Sequence, residues 1–114
     1  MWGWSPQKPP QVPHTTIANV TVPALFVWGY LDNITPVGAP NQYPVIGSSK
    51  KVLVKIQCAS HYLMWENSAS ATWQGGPHKI LQDAVVEWIT SETYQGKSLG
   101  TFQVDTNGNI TGPF

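Results

Sequence analysis

The chain has 114 residues, 41% of them apolar and only 11% charged, with six Lys, no Arg, six acidic residues and zero formal net charge. That balance excludes an electrostatic nucleic-acid or anionic-membrane binder, and the missing guanidinium removes the usual phosphate clamp. The apolar fraction and six Trp exclude an intrinsically disordered chain.

At this length the sequence makes one domain at most, burying somewhat over ~60% of its unfolded surface. No apolar run approaches the ~18 residues of a membrane span, and the N-terminus lacks a signal peptide's basic-then-apolar order. Cys58 is the one cysteine, so the chain encodes neither an internal disulfide nor a cysteine metal cluster. Asn-x-Thr sequons occur at Asn19, Asn33 and Asn109, of which chance accounts for about one or two in so Thr-rich a chain. It is the low charge with the Asn/Thr/Gly-rich surface that leans towards an extracellular protein.

Residues 1–15, with Pro6, Pro9, Pro10 and Pro13 among polar side chains, read as an extended arm whose Trp2 and Trp4 dock on a surface. The run Ala24 to Trp28, apolar on both faces and closed by Gly29, has the pattern of a strand buried on both sides in a parallel sheet. Pro23 cannot donate to a ladder, so pairing begins after it. A loop follows through Asp32, Asn33, Pro36, Gly38 and Pro40, with a short helix over Ala39–Tyr43 cut off by Pro44.

The second strand is predicted over Val52–Cys58, with Val52, Val54, Ile56 and Cys58 on one face and Lys55 and Gln57 on the other. Alternation of that kind fits a strand with one partly wet face, as at a sheet edge. Gly76-Pro77 opens the clearest helix, whose apolar stripe is Ile80, Leu81, Ala84, Val85, Trp88 and Ile89. Phe102, Val104 and Ile110 around Asn107-Gly108 predict a β-hairpin in the tail. Three parts follow: an arm over 1–15, an α/β unit over 16–95 and a hairpin tail over 96–114. Two strands joined by a ~22-residue connection favour a parallel pair with a crossover.

Asp32 stands three residues after Gly29, and His61 three after Cys58. In open α/β sheets the C-terminal strand ends are where ligands bind, and adjacent strands lie only ~4.8 Å apart. An Asp and a His leaving neighbouring strands at one level can meet, and a carboxylate on imidazole Nδ1 fixes the tautomer a general base needs.

The strings VPALFVWGYLDNITP and KKVLVKIQCASHYLMWE resemble two segments of the α/β-hydrolase family: the strand ending in Gly before the acid, and the last strand before the base. WGWSP near the start resembles the segment returning from the cap region in one branch of these enzymes. The resemblance covers roughly residues 2–95. It implies a partial α/β-hydrolase sheet of class α/β, with Asp32 as triad acid, His61 as base and Glu66 as a supporting residue. Trp28 and Trp65 would line the substrate pocket, and no cofactor is implied.

The sequence departs from the family in having no G-x-S-x-G, no oxyanion-hole segment and none of the earlier strands. By itself it is expected to be inactive. As part of a carboxylic-ester hydrolase it would take a small ester or related acyl substrate, with the nucleophile on a missing N-terminal portion. The alternative is a non-catalytic domain that self-associates or binds a partner through the exposed edge of strand Ala24–Trp28.

Plainer readings stand beside these. Asp32 suits a turn, His61 a partly buried histidine, Glu66 a solvated side chain, and Cys58 a small core residue. His14 and His78 lack metal-ligand spacing to His61. Asp105–Asn109 echoes a calcium loop without its bidentate Glu and is better read as the hairpin turn.

Overall fold

A computed structural model describes residues 17–34, 38–63 and 76–114. The proline-rich arm, Trp65 and Glu66 lie outside the described residues.

Strand β1 (Ala24–Gly29) begins directly after Pro23, its first amide donating to the Lys50 carbonyl at 3.0 Å. Helix α1 (Gly38–Gln42) is a single short turn ending two residues before Pro44. Strand β2 (Lys51–Ile56) pairs parallel with β1 from Ala24↔Lys51 to Gly29↔Ile56. Helix α2 (Gly76–Ser91) carries Pro77 in its first turn, where a missing amide hydrogen costs nothing. Strands β3 (Leu99–Val104) and β4 (Ile110–Thr111) follow, giving a four-stranded sheet in the order β1-β2-β3-β4. The fold is of the mixed α/β class.

Three sequence expectations need correction. The tail is not a separate hairpin: β3 pairs parallel with β2 over all six residues, and only β3–β4 is antiparallel. This places β2 in the interior of the sheet instead of at its edge, so Lys55 and Lys51 project from a sheet face and are half-buried. Conversely β1 has no strand on its outer side among the described residues, and Ala24 to Trp28 are half-buried instead of fully covered.

Alternation sorts the side chains onto two faces. Val52, Val54, Ile56, Phe102 and Val104, all buried, pack with Ile80 and Ala84 of α2, and with Leu25, Val27, Leu81 and Trp88 at the margin. Burying a side chain of this size contributes roughly 1.5–3 kcal/mol, which makes this face the core of the fold. The expected α2 stripe is narrower than its pattern: Val85 is at the surface and Ile89 is 77% exposed, because three positions per two turns already fill the space over the sheet. The opposite face carries Phe26, Trp28, Leu53, Lys55, Thr101 and Gln103. Tyr43, just after α1, covers part of it, edge-on to Phe26 at 6.2 Å and under the Lys51 ammonium at 5.1 Å. The Tyr43 hydroxyl also accepts the Gly100 amide at 3.2 Å, tying the start of β3 to this corner.

Two acids lock the turns that set β3 in place. Glu87 accepts from the Thr93 hydroxyl at 2.7 Å and from the Gln95 and Gly96 amides at 3.0 Å each. Desolvation pushes its pKa up, but the hydrogen bonds from Gly96, Thr93 and Gln95 together outweigh this and hold it below the ordinary value. Next to this turn Tyr94 is fully buried, edge-on to Phe102 at 5.0 Å. Burial, reinforced by Glu87 and Asp83, pushes its phenol up to about 12.

In the β3–β4 turn, Asp105 Oδ1 accepts the Asn107 and Asn109 amides at 2.8 and 2.9 Å, and its Oδ2 accepts Asn109 Nδ2 at 3.2 Å. These bonds, that from Asn109 first, lower the Asp105 pKa. Its carboxylate oxygens are thus engaged by the turn itself, and the calcium-loop echo is a hairpin turn.

Candidate functional site

The C-terminal ends of β1 and β2 are stitched into one junction. The Tyr30 amide donates to the Ile56 carbonyl at 2.9 Å, and the Leu31 amide to the Ala59 carbonyl at 2.8 Å. A turn closed by the Asp32 amide on the Gly29 carbonyl, 3.0 Å, then brings Asp32 back towards the sheet. Gly29 permits the approach: a Cβ there would lie 2.4 Å from the Ser60 oxygen and 2.5 Å from the Ala59 oxygen, both backbone atoms. No residue but glycine fits at this point without moving the segment that carries His61.

Asp32 is the buried member of the pair, its side chain only 5% exposed, and His61 the accessible one at 40%. Asp32 Oδ1 accepts the Ile34 amide at 2.8 Å, an Asx-type bond that fixes the carboxylate plane. Its Oδ2 faces His61 Nδ1 at 3.0 Å. A carboxylate can only accept, so the neutral imidazole puts its proton on Nδ1 and its lone pair on Nε2. Tyr62 stands edge-on to the His61 ring at 5.5 Å, its amide donating to Ser60 Oγ at 3.1 Å. Chemically the arrangement is an imidazole oriented through Nδ1 by a buried carboxylate.

The structure brings together Asp32 and His61 of the five residues singled out in the sequence. Trp28 lies one residue before the end of β1, on the face opposite the main core, tilted against Tyr30 at 5.1 Å. Its indole Nε1 is buried without a hydrogen-bond partner among the described residues. Trp65 and Glu66 fall outside the described residues. Ser48 is buried, with its Oγ bonded to the Val22 carbonyl and 3.3 Å from that of Val20, which ties down residues 20–22. Gly29 is the positioning residue that sequence reasoning treated only as a strand end. Among the described residues no group of three or more His, Cys, Asp or Glu side chains is placed to hold a metal ion.

Compared with known proteins, the chain matches no family model, no curated protein and no solved structure. No helix among the described residues is long and apolar enough to cross a membrane.

Proposed function

We propose that Asp32 and His61 are the acid and base of a serine-hydrolase-type site of α/β-hydrolase architecture, acting on a small ester or related acyl substrate. The observation that carries this reading is the 3.0 Å contact between His61 Nδ1 and a buried Asp32, at the C-terminal ends of adjacent parallel strands. The chain order, acid before base, agrees with that of the family.

The sequence contains no G-x-S-x-G. The nucleophile therefore comes from polypeptide outside these 114 residues. Its hydroxyl proton passes to His61 Nε2 as the serine oxygen bonds to the acyl carbon, and the imidazolium returns that proton to the departing alkoxide. Water then repeats the sequence on the acyl-enzyme. Asp32 orients the ring and stabilises the imidazolium throughout. Trp28, and in the same reading Trp65, supply apolar surface for the acyl group, while Glu66 supports the base loop.

The test begins with the coding sequence upstream of Met1, where an in-frame G-x-S-x-G is expected. The joined polypeptide should hydrolyse p-nitrophenyl butyrate, and His61→Gln should abolish turnover. Turnover indifferent to His61→Gln overturns the assignment.

A second reading is favoured by β1 itself, which is half-exposed at the sheet edge and followed by Tyr30, Leu31 and Ile34, all exposed. Such an edge pairs readily with another chain, so a non-catalytic, self-associating domain would use the same strand. Sedimentation over a concentration series decides it: a monomer throughout sinks the self-association, and a dimer broken by Phe26→Lys supports it.

A further inference from the structure

Of the asparagines in the sequence, Asn107 alone is followed by glycine; Asn19, Asn33 and Asn109 precede the branched residues Val20, Ile34 and Ile110. In an Asn-Gly pair the glycine nitrogen can close on the asparagine side-chain carbonyl carbon, because no Cβ shields that nitrogen. The missing Cβ also lets Gly108 take a φ of 84° in the β3–β4 turn. What makes the turn therefore also makes it reactive.

The turn presents this pair to water. Asn107 is exposed, Gly108 is half-buried, and the Asn107 side-chain amide makes no hydrogen bond among the described residues. Asn109, by contrast, has its Nδ2 on Asp105 Oδ2 at 3.2 Å. The guarded atom is the nucleophile: the Gly108 N–H donates to the Asp105 carbonyl at 3.1 Å. The Asp105 carboxylate also holds the amides on either side, that of Asn107 at 2.8 Å and that of Asn109 at 2.9 Å. A nitrogen held in this way keeps its proton until the turn opens, and the nearby carboxylate opposes the negative charge that attack creates. An exposed hairpin end opens locally, without unfolding of the whole chain.

We propose that Asn107–Gly108 is a self-modifying site, gated by Asp105, whose conversion to isoaspartate or aspartate loosens β4. The Gly108 nitrogen gives its proton to solvent base and bonds to Asn107 Cγ. The Cγ–Nδ2 bond then breaks and ammonia leaves, closing a succinimide ring. Water opens the ring at either carbonyl, so one water is consumed for each ammonia released and nothing is oxidised or reduced. Opening at the main-chain carbonyl leaves isoaspartate, whose backbone runs through the side-chain carbons. The extra backbone atom, and a new carboxylate close to Asp105, both spoil the turn that sets Val104 opposite Ile110. The site involves neither Asp32 nor His61 and does not rest on the hydrolase reading.

Peptide mass mapping of the full chain during incubation in mildly alkaline buffer, folded and in urea, tests it. In the folded chain conversion should appear at Asn107 before any other asparagine, as a mixture of isoaspartate and aspartate, and more slowly than in urea. Asp105→Ala should speed it in buffer on the order of fivefold or more, the loss of at least one turn hydrogen bond, and leave the rate in urea unchanged. Amide signals of 104, 110 and 111 in a ¹H–¹⁵N map should move as conversion proceeds. In Asn107→Gln, whose longer side chain needs a larger ring, they should stay in place through the same incubation. Equal rates for the folded chain and the chain in urea overturn the gating in the unaltered protein, even if Asp105→Ala fails to fold. Aspartate without isoaspartate, earlier conversion elsewhere, no conversion of Asn107 in the folded chain, or conversion that leaves 104, 110 and 111 unmoved overturn the proposal equally. An active or an inert Asp32–His61 pair changes none of these outcomes.

Discussion

His61 Nδ1 sits 3.0 Å from Asp32 Oδ2, while the other oxygen of the same carboxylate is held by the Ile34 amide at 2.8 Å. The second bond decides how the pair responds to a change of the acid. In Asp32→Asn, the amide oxygen stays on the Ile34 N–H and the NH₂ group is turned towards the imidazole. The ring then has to accept at Nδ1 and carry its proton on Nε2, the wrong tautomer for a base. Imidazole ¹⁵N shifts should show the proton on Nδ1 in the unaltered chain and on Nε2 in the variant. In a complete enzyme the same substitution should lower kcat on the order of 10⁴-fold. Identical tautomers in the two proteins would show that Asp32 does not orient His61.

Gly29→Ala tests the junction beneath the pair. Its methyl would meet the backbone oxygens of Ser60 and Ala59 at 2.4 and 2.5 Å, and neither can swing aside as a side chain tip would. Overpacking of this kind costs about 1–3 kcal/mol, readable as a lower urea midpoint. The His61 Nδ1 proton should also exchange faster, because the base segment has to back away from Asp32. A variant of full stability with an unchanged imidazole signal would mean the two segments are not in contact.

Glu87 gives the fold an acid sensitivity of known sign. Its pKa is lowered in the folded chain from the ordinary 4.5, so its hydrogen bonds contribute fully above that value. The contribution is lost as pH falls through the lower, folded pKa. Urea midpoints for the unaltered chain and Glu87→Gln should therefore differ at pH 7 and converge at low pH. A constant gap would assign the effect to shape instead of charge.

Tyr94 works at the other end of the scale. Its phenol is raised from 10.0 to about 12 in the folded chain, so the stabilising difference is fully present below pH 10 and lost as pH rises towards 12. Tyr94→Phe should flatten the alkaline limb of the stability profile. If the unaltered chain and Tyr94→Phe lose stability in parallel between pH 10 and 12, the limb belongs to other groups.

Much of this was legible in the sequence because it was local. Pro23, the apolar run to Trp28 and Gly29 mark β1 within a residue, and Pro77 with Ile80 and Ala84 marks α2. The sequence placed Asp32 and His61 at the same end of neighbouring strands, as the structure has them. The equal offset does not hold: β2 ends at Ile56 and not at Cys58, so His61 stands five residues beyond its strand and Asp32 three beyond Gly29. The parallel seat of β3 was not legible, because Leu99–Val104 has the same alternation whether it pairs only with β4 or also with β2. Nothing near Leu99 names a partner ~50 residues earlier, and that choice is made by burying Phe102 and Val104 against Val52, Val54 and α2. The exposure of Ile89 was hidden for a related reason, since periodicity gives the direction of a helical stripe and the width of the sheet beneath sets how much of it is covered.

The close approach at Gly29 also bears on how this region can be re-engineered. Because the Leu31 amide bonds to the Ala59 carbonyl and Gly29 leaves no room beside Ser60, the acid turn and the base turn have complementary shapes. Grafting the His61 turn alone onto another parallel sheet would carry over the imidazole and lose its aim. A transplant has to take both strand ends together, glycine included, and a library that randomises one turn while fixing the other will mostly sample backbones that cannot close.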